Sequence, residues 1–178
     1  LKKNQRMIIT GGMGAMGFAI PAANAPQLAA PENRIIAIVG DGGIQINLQE
    51  LQTVKRNKLP LKIILMNNHC LGMIRHFQEL YFESRYCATI RGYDNPNFKD
   101  IAKAYRISYF KIAKTKEIRP VLKKAFKFDG AALIEVNLPE LTYVIPKLEM
   151  NRPIEDQNPL LDREELRSNM LIDPLDSI

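Results

Sequence analysis

The chain has 178 residues, 46% hydrophobic and 25% charged, an ordinary globular composition with enough length for one sizeable core. Its net charge of +6 is spread over Lys2, Lys55, Lys103, Lys123, Lys127 and others, with no basic stripe interleaved with aromatics, which argues against nucleic-acid binding. No apolar run nears the roughly 20 residues that cross a bilayer, and two cysteines, Cys70 and Cys87, are too few for a disulfide framework, so a reducing cytoplasm is expected.

The first residues, Leu1 to Arg6, carry neither an initiator Met nor an apolar signal segment and read as a cut in a longer polypeptide. Met7-Ile8-Ile9-Thr10 reads as a short strand leading into a glycine-rich turn, and Phe18 to Ala30 as a helix, with Pro21 in its opening turn where a missing N–H does little harm. Arg34 to Val39 is a continuous buried-strand pattern. Asn47 and Glu50 form a capping box for a helix from Leu48 to Lys58, closed by Leu59-Pro60. Leu61 to Met66 is the next strand, Leu71 to Phe82 a helix, Phe98 to Tyr105 a helix begun by Asn97, and Ile107 to Ile112 a strand. Lys116 to Phe128 and Ala131 to Asn137 supply a last helix and strand. Apolar runs alternating with helical periods predict a parallel sheet covered on both faces.

The composition shifts near Pro139. Pro146, Pro153, Pro159 and Pro174 recur through a segment without runs long enough for core strands. Two regions are therefore expected: a domain over 1–138, and a proline-rich, extended C-terminal tail over 139–178 that packs on the domain or on a partner subunit.

The chemistry concentrates at two strand ends. Val39-Gly40-Asp41-Gly42-Gly43 ends one strand and Leu65-Met66-Asn67-Asn68 ends the next, with Asp41 and Asn68 separated by 68 − 41 = 27 positions. A right-handed crossover between parallel strands brings both polar tips to one sheet edge, where ligands of open α/β sheets bind. A carboxylate and an amide oxygen are hard ligands, and the glycines of the turn let backbone N–H groups approach, which together suit a Mg²⁺–diphosphate pair. A turn-forming Asp-Gly and a helix-capping Asn are the blander readings of the same residues. A competing motif lies upstream: Gly12-Met13-Gly14-Ala15-Met16-Gly17 matches the dinucleotide fingerprint, with Asp41 standing 41 − 17 = 24 positions on. That reading leaves Asn67-Asn68 unexplained.

The Gly-Asp-Gly…Asn-Asn pattern resembles that of thiamine-diphosphate enzymes. Gly11 to Ala23 is similar to the segment that holds the aminopyrimidine ring in acetohydroxyacid (acetolactate) synthases, and Leu71-Gly72-Met73-Ile74 and Phe82-Glu83-Ser84-Arg85-Tyr86 also resemble that subgroup. The resemblance implies a three-layer α/β/α fold with a mostly parallel sheet, the thiamine-diphosphate-binding fold. It implies thiamine diphosphate and Mg²⁺ as cofactors, with Asp41, Asn68 and the backbone carbonyl of Cys70 as metal ligands. Gly40, Gly42, Gly43, Leu71, Gly72 and Met73 join them around the cofactor, Gly14 accepts a hydrogen bond from its 4′-amino group, and Met16 wedges beneath its bend. As isolated imidazoles, His69 and His76 are given no role in proton transfer.

The carboxylate that activates the cofactor lies, in the family, on a separate pyrimidine-binding domain, and Glu32, Glu50, Glu79 and Glu83 sit in the wrong contexts to replace it. This chain is thus expected to hold half of an active site that is completed by the same or another subunit of a homodimer or homotetramer. The implied reaction belongs to branched-chain amino acid biosynthesis: decarboxylation of a 2-oxo acid such as pyruvate and transfer of the remaining unit to a second 2-oxo acid. Phe77 stands where the subgroup carries an acceptor-selecting Trp, which leaves the acceptor open, as is a requirement for FAD. A diphosphate-binding subunit of a sulfopyruvate or phosphonopyruvate decarboxylase and a non-catalytic module of the same fold are the alternatives.

Overall fold

Four apolar runs form one parallel sheet in the computed structural model, which describes residues 1–175. The strands are β1 (Ile36–Gly40), β2 (Lys62–Asn67), β3 (Ser108–Ile112) and β4 (Ala132–Asn137), ordered β1-β2-β4-β3. The register pairs Gly40 with Met66 and Asn67 with Asn137, so β1 and β2 finish at the same edge. Asp41 and Asn68 are each the first residue past a strand end. Side-chain alternation sends Ala37, Val39, Ile63, Leu65 and Leu133 to one face, where α1 (Ala19–Ala29), α2 (Asp41–Ile46), α3 (Leu51–Arg56) and α5 (Phe98–Ala104) cover them. Leu51, Val54, Leu61, Ile63 and Leu65 have no exposed surface. Each such burial contributes roughly 1.5–3 kcal/mol before chain entropy is counted. On the other face Ile112, Ala132 and Ile134 pack with Ala125, Val121 and Leu122 of α6 (Ile118–Lys127). The α/β class with helices on both faces of a parallel sheet is therefore as expected.

Three local expectations differ from the structure. Met7–Thr10 pairs with no strand, and Met7, Ile8 and Ile9 are 59–66% exposed, so apolar sequence alone did not recruit a neighbour. The helix expected from Leu48 begins instead at Asp41, breaks after Ile46, passes a 3₁₀ turn at Leu48–Glu50 and resumes as α3. The Asn47–Glu50 capping box does not form: Asn47 Nδ2 donates to the Gly17 carbonyl at 3.0 Å, while the Glu50 carboxylate accepts from the Thr53 hydroxyl at 3.2 Å. A long-range contact to the glycine turn has taken the side chain that local rules assign to a cap. By contrast, Asn97 does cap α5, its Oδ1 accepting from the Lys99 and Asp100 amides.

The chain divides into two units, Leu1–Thr142 and a second from Tyr143 onward. Within the second, β5 (Lys147–Leu148) and β6 (Gln157–Asn158) form a short antiparallel pair, and α7 (Arg163–Asn169) starts at Asp162, whose carboxylate accepts from the Glu164 and Glu165 amides. The segment expected to be extended thus contains a helix, because Asp162 caps its first turn. Among the described residues no helix is long and apolar enough to cross a membrane.

Candidate functional site

The site grows from the turn where β1 becomes α2. Asp41 is 2% exposed. Its Oδ2 accepts two hydrogen bonds, from the Tyr93 hydroxyl at 3.0 Å and from Asn95 Nδ2 at 2.9 Å. Gln45 Nε2, one turn along the helix, donates to the Tyr93 oxygen at 3.2 Å. Burial, and then the adjacent Asp41 carboxylate, push the Tyr93 hydroxyl well above the usual phenol range, so it stays a donor. With Oδ2 engaged, Oδ1 of Asp41 is turned toward the end of β2.

There the Asn68 side chain closes a small group of oxygens. Its outer tip lies 3.0 Å from the Cys70 carbonyl oxygen and 3.2 Å from Asp41 Oδ1, and with its NH₂ group turned to them the amide donates to both. Turned the other way, the amide sets its oxygen beside that carboxylate and carbonyl, an arrangement that needs a cation between them. Octahedral coordination at Mg²⁺–oxygen distances of 2.0–2.1 Å separates neighbouring ligand oxygens by about 3 Å, so the two distances accommodate such an ion as readily as the hydrogen bonds. The donor set of one carboxylate, one amide and one carbonyl is hard and suits Mg²⁺. Among the described residues no group of three or more His, Cys, Asp or Glu side chains could hold a metal. A softer transition-metal centre has no counterpart there.

The surrounding glycines are explained by close approach. A Cβ at Gly42 would stand 2.4 Å from Leu71 Cδ2, and 3.5 Å from both Met16 Cε and the Tyr93 hydroxyl oxygen; one at Gly72 would stand 2.8 Å from Asn68 Nδ2. Gly42, Leu71, Met16 and Tyr93 therefore meet beside Asp41. Gly40 ends β1, and Gly43 continues the first turn of α2, where backbone N–H groups have no partner within the helix. Gly14 has φ +59° with open space around it, and Met16 is 46% exposed, so both present free surface. Met73, in the first turn of α4 (Gly72–Tyr81), is also exposed. Cys70 is buried, which raises its thiol pKa, and the sulfur donates to the Glu140 carbonyl at 3.4 Å; it is packed as a small apolar residue and only its backbone oxygen faces the site. His69 donates its backbone N–H to Asn67 Oδ1, and His76 is buried in α4.

Tyr93, Asn95 and Glu135 were missed in the sequence, and Asn67 was read only as one of the Asn67-Asn68 pair. Asn67 donates to Glu135 Oε1 at 2.8 Å and accepts from Asn95 Nδ2 at 2.9 Å, and the Tyr109 hydroxyl donates to Glu135 Oε2. A lone carboxylate inside the apolar run Ala131 to Val136 was the one available signal, because a buried strand excludes a charge unless donors surround it.

The family model for the thiamine pyrophosphate enzyme C-terminal TPP-binding domain matches residues 1–136. The chain is 41% identical over 142 residues to the acetolactate synthase isozyme 2 large subunit of Escherichia coli, covering 80% of this chain and 26% of that protein. It is 41% identical over 147 residues to the acetolactate synthase large subunit of Lactococcus lactis, covering 82% and 25%. With the chloroplastic acetolactate synthase 1 of Oryza sativa the identity is 29% over 161 residues, covering 87% and 25%. The chain thus spans about a quarter of the length of these relatives. On the strength of a match running from its first residue through the last strand of its sheet, the chain belongs to the thiamine pyrophosphate enzyme family, as its C-terminal TPP-binding domain.

Proposed function

We propose that this chain is the Mg²⁺- and diphosphate-binding domain of an acetolactate synthase-like enzyme that joins 2-oxo acids. The observation that carries the proposal is the placing of Asp41 and Asn68 directly past neighbouring strand ends, where the Asn68 amide tip lies 3.2 Å from Asp41 Oδ1 and 3.0 Å from the Cys70 carbonyl, so that a turn of the amide presents a carboxylate, an amide and a carbonyl oxygen together. Family membership supports thiamine diphosphate as the ligand beside it. When bound, that cofactor supplies the nucleophilic carbon and the electron sink for 2-oxo acid chemistry.

The chain's own residues bind and orient it. Asp41, Asn68 and the Cys70 carbonyl hold Mg²⁺; Gly42 and Gly43 admit the diphosphate to the free N–H groups at the start of α2; Leu71, Gly72 and Met73 line the far side. Gly14 and Met16 meet the aminopyrimidine ring, the first through its carbonyl and the second as an apolar wedge. The carboxylate that completes the site comes from a pyrimidine-binding domain of the same or another subunit in a homodimer or homotetramer. Two of the relatives above are acetolactate synthase large subunits, and the decarboxylase-subunit alternative is not favoured.

Acceptor choice is assigned to α4. Phe77 is 38% exposed and packs at tilted angles against Tyr81 and Phe82, with ring centroids 4.7 and 5.9 Å apart, so its shape is presented by an aromatic cluster. Groups that hold the diphosphate contribute equally to both competing reactions and cannot discriminate between acceptors. The full-length enzyme is expected to form acetolactate from pyruvate only with Mg²⁺ and thiamine diphosphate present; failure to form it overturns the proposal. In the same assay, with pyruvate and 2-oxobutyrate competing, Phe77→Trp moves the product ratio toward acetohydroxybutyrate by roughly 3- to 10-fold, within the range one methylene allows. Cofactor affinity stays within about 2-fold, and an unchanged ratio would make Phe77 packing alone.

A further inference from the structure

We infer that Glu135, through Asn67 and Asn95, is a positioning residue that holds Asp41 in a one-oxygen presentation to the cation. The inference rests on the metal reading proposed above and concerns how the site selects among cations. Its basis is a continuous chain of hydrogen bonds in which each member dictates the orientation of the next.

The relay begins inside the sheet. Glu135 is 6% exposed, on β4, and as a carboxylate it only accepts. Tyr109 of β3 donates to one oxygen, and Asn67 of β2 donates to the other at 2.8 Å. That second bond fixes which way the Asn67 amide faces, because its NH₂ must point at Glu135. Its oxygen is then left at the sheet edge, accepting from the His69 backbone amide at 3.1 Å and from Asn95 Nδ2 at 2.9 Å. The Asn95 NH₂ carries two hydrogens; one is used on Asn67 and the other reaches Asp41 Oδ2 at 2.9 Å. Had the Asn67 amide been reversed, its NH₂ would face that of Asn95, and Asn95 would have to leave.

At the far end the consequence is geometric. Oδ2 of Asp41 already accepts from Asn95 and from Tyr93, so the carboxylate cannot swing to offer both oxygens to a metal. Oδ1 alone faces the Asn68 tip and the Cys70 carbonyl. Mg²⁺ requires near-ideal octahedral geometry with single oxygens at short distance, whereas Ca²⁺ accepts six to eight oxygens at longer range and takes bidentate carboxylates readily. Locking Oδ2 away therefore favours Mg²⁺ over Ca²⁺. Loss of the lock frees Asp41 to chelate the larger ion.

The test measures thiamine diphosphate binding to the full-length protein by calorimetry while titrating Mg²⁺ and, separately, Ca²⁺. Asn95→Ala and Glu135→Leu should each raise the Mg²⁺ concentration for half-maximal binding by about 10-fold, as outer-shell changes do, and both should move the Ca²⁺-to-Mg²⁺ preference toward Ca²⁺. Glu135→Gln should restore wild-type behaviour, since its amide can accept from Asn67 with the oxygen and donate to Tyr109 with the nitrogen. If Glu135→Leu does not fold, Asn95→Ala, on a half-buried loop, decides the matter. An unchanged Mg²⁺ requirement and cation preference in Asn95→Ala, alongside loss of binding in Asp41→Ala, would overturn the relay while leaving the metal site standing. Mg²⁺-dependent binding unaltered by Asp41→Ala would remove the metal reading and the relay with it.

Discussion

Asp41→Ala in the full-length protein should abolish Mg²⁺-dependent binding of thiamine diphosphate, weakening it by at least about 100-fold, since loss of an outer-shell partner alone costs 10- to 100-fold. The side chain is buried, supplies the only carboxylate of the oxygen cluster and sits at the strand end where Tyr93 and Asn95 both donate to it. Alanine removes the charge that offsets dehydration of the cation, and neither Asn68 nor the Cys70 carbonyl replaces it. Glu79→Ala is the matched control: that carboxylate pairs with Arg75 along α4 at 3.3 Å and lies outside the cluster. Calorimetry in Mg²⁺ distinguishes the two. Comparable losses from both changes would show that Asp41 acts by general stabilisation.

Gly17→Ala should destabilise the chain by about 2–4 kcal/mol in urea denaturation, the sum of backbone strain and overpacking. Gly17 has φ +84°, and a Cβ there would stand 2.8 Å from Ile46 Cγ2 and 2.9 Å from Asn47 Nδ2. The methyl group would push away the amide that holds the Gly17 carbonyl, unlatching the glycine turn from the end of α2. Gly14→Ala separates the two contributions, because Gly14 also has positive φ, +59°, but nothing within 4 Å. It should cost only about 1 kcal/mol, the conformational part. Equal midpoints for the two variants would mean that the contact at Gly17 relaxes without cost.

This pair also indicates what the sequence could disclose. The sheet was legible because its strands read as apolar runs and the intervening helices carry a different period; the buried pattern expected over Arg34 to Val39 holds on one face only, since Ile36 and Ile38 of β1 are 45% and 66% exposed. Asp41 and Asn68 were legible because each directly follows such a run. Helix α2 was not, since Asp41-Gly42-Gly43 has turn chemistry and poor helix propensity; the helix forms there because Ile44 finds a buried place in the core. The dinucleotide fingerprint at Gly12–Gly17 was a similar trap, its last glycine being required by Ile46 and Asn47 and not by a nucleotide. Tyr93, Asn95 and Glu135 were invisible for another reason. They reach Asp41 and Asn67 across 52, 54 and 68 positions, and no local pattern encodes a contact that only the closed fold creates.

The position of a bound metal tests the account most directly. Crystals of the full-length protein with thiamine diphosphate and Mn²⁺ in place of Mg²⁺ should give an anomalous difference peak at roughly 2.0–2.3 Å from Asp41 Oδ1, Asn68 Oδ1 and the Cys70 carbonyl oxygen, with phosphate oxygens completing the shell. Asp41 Oδ2 should remain on Tyr93 and Asn95. A cofactor bound with its metal at any other set of residues would contradict the assignment of Asp41, Asn68 and Cys70.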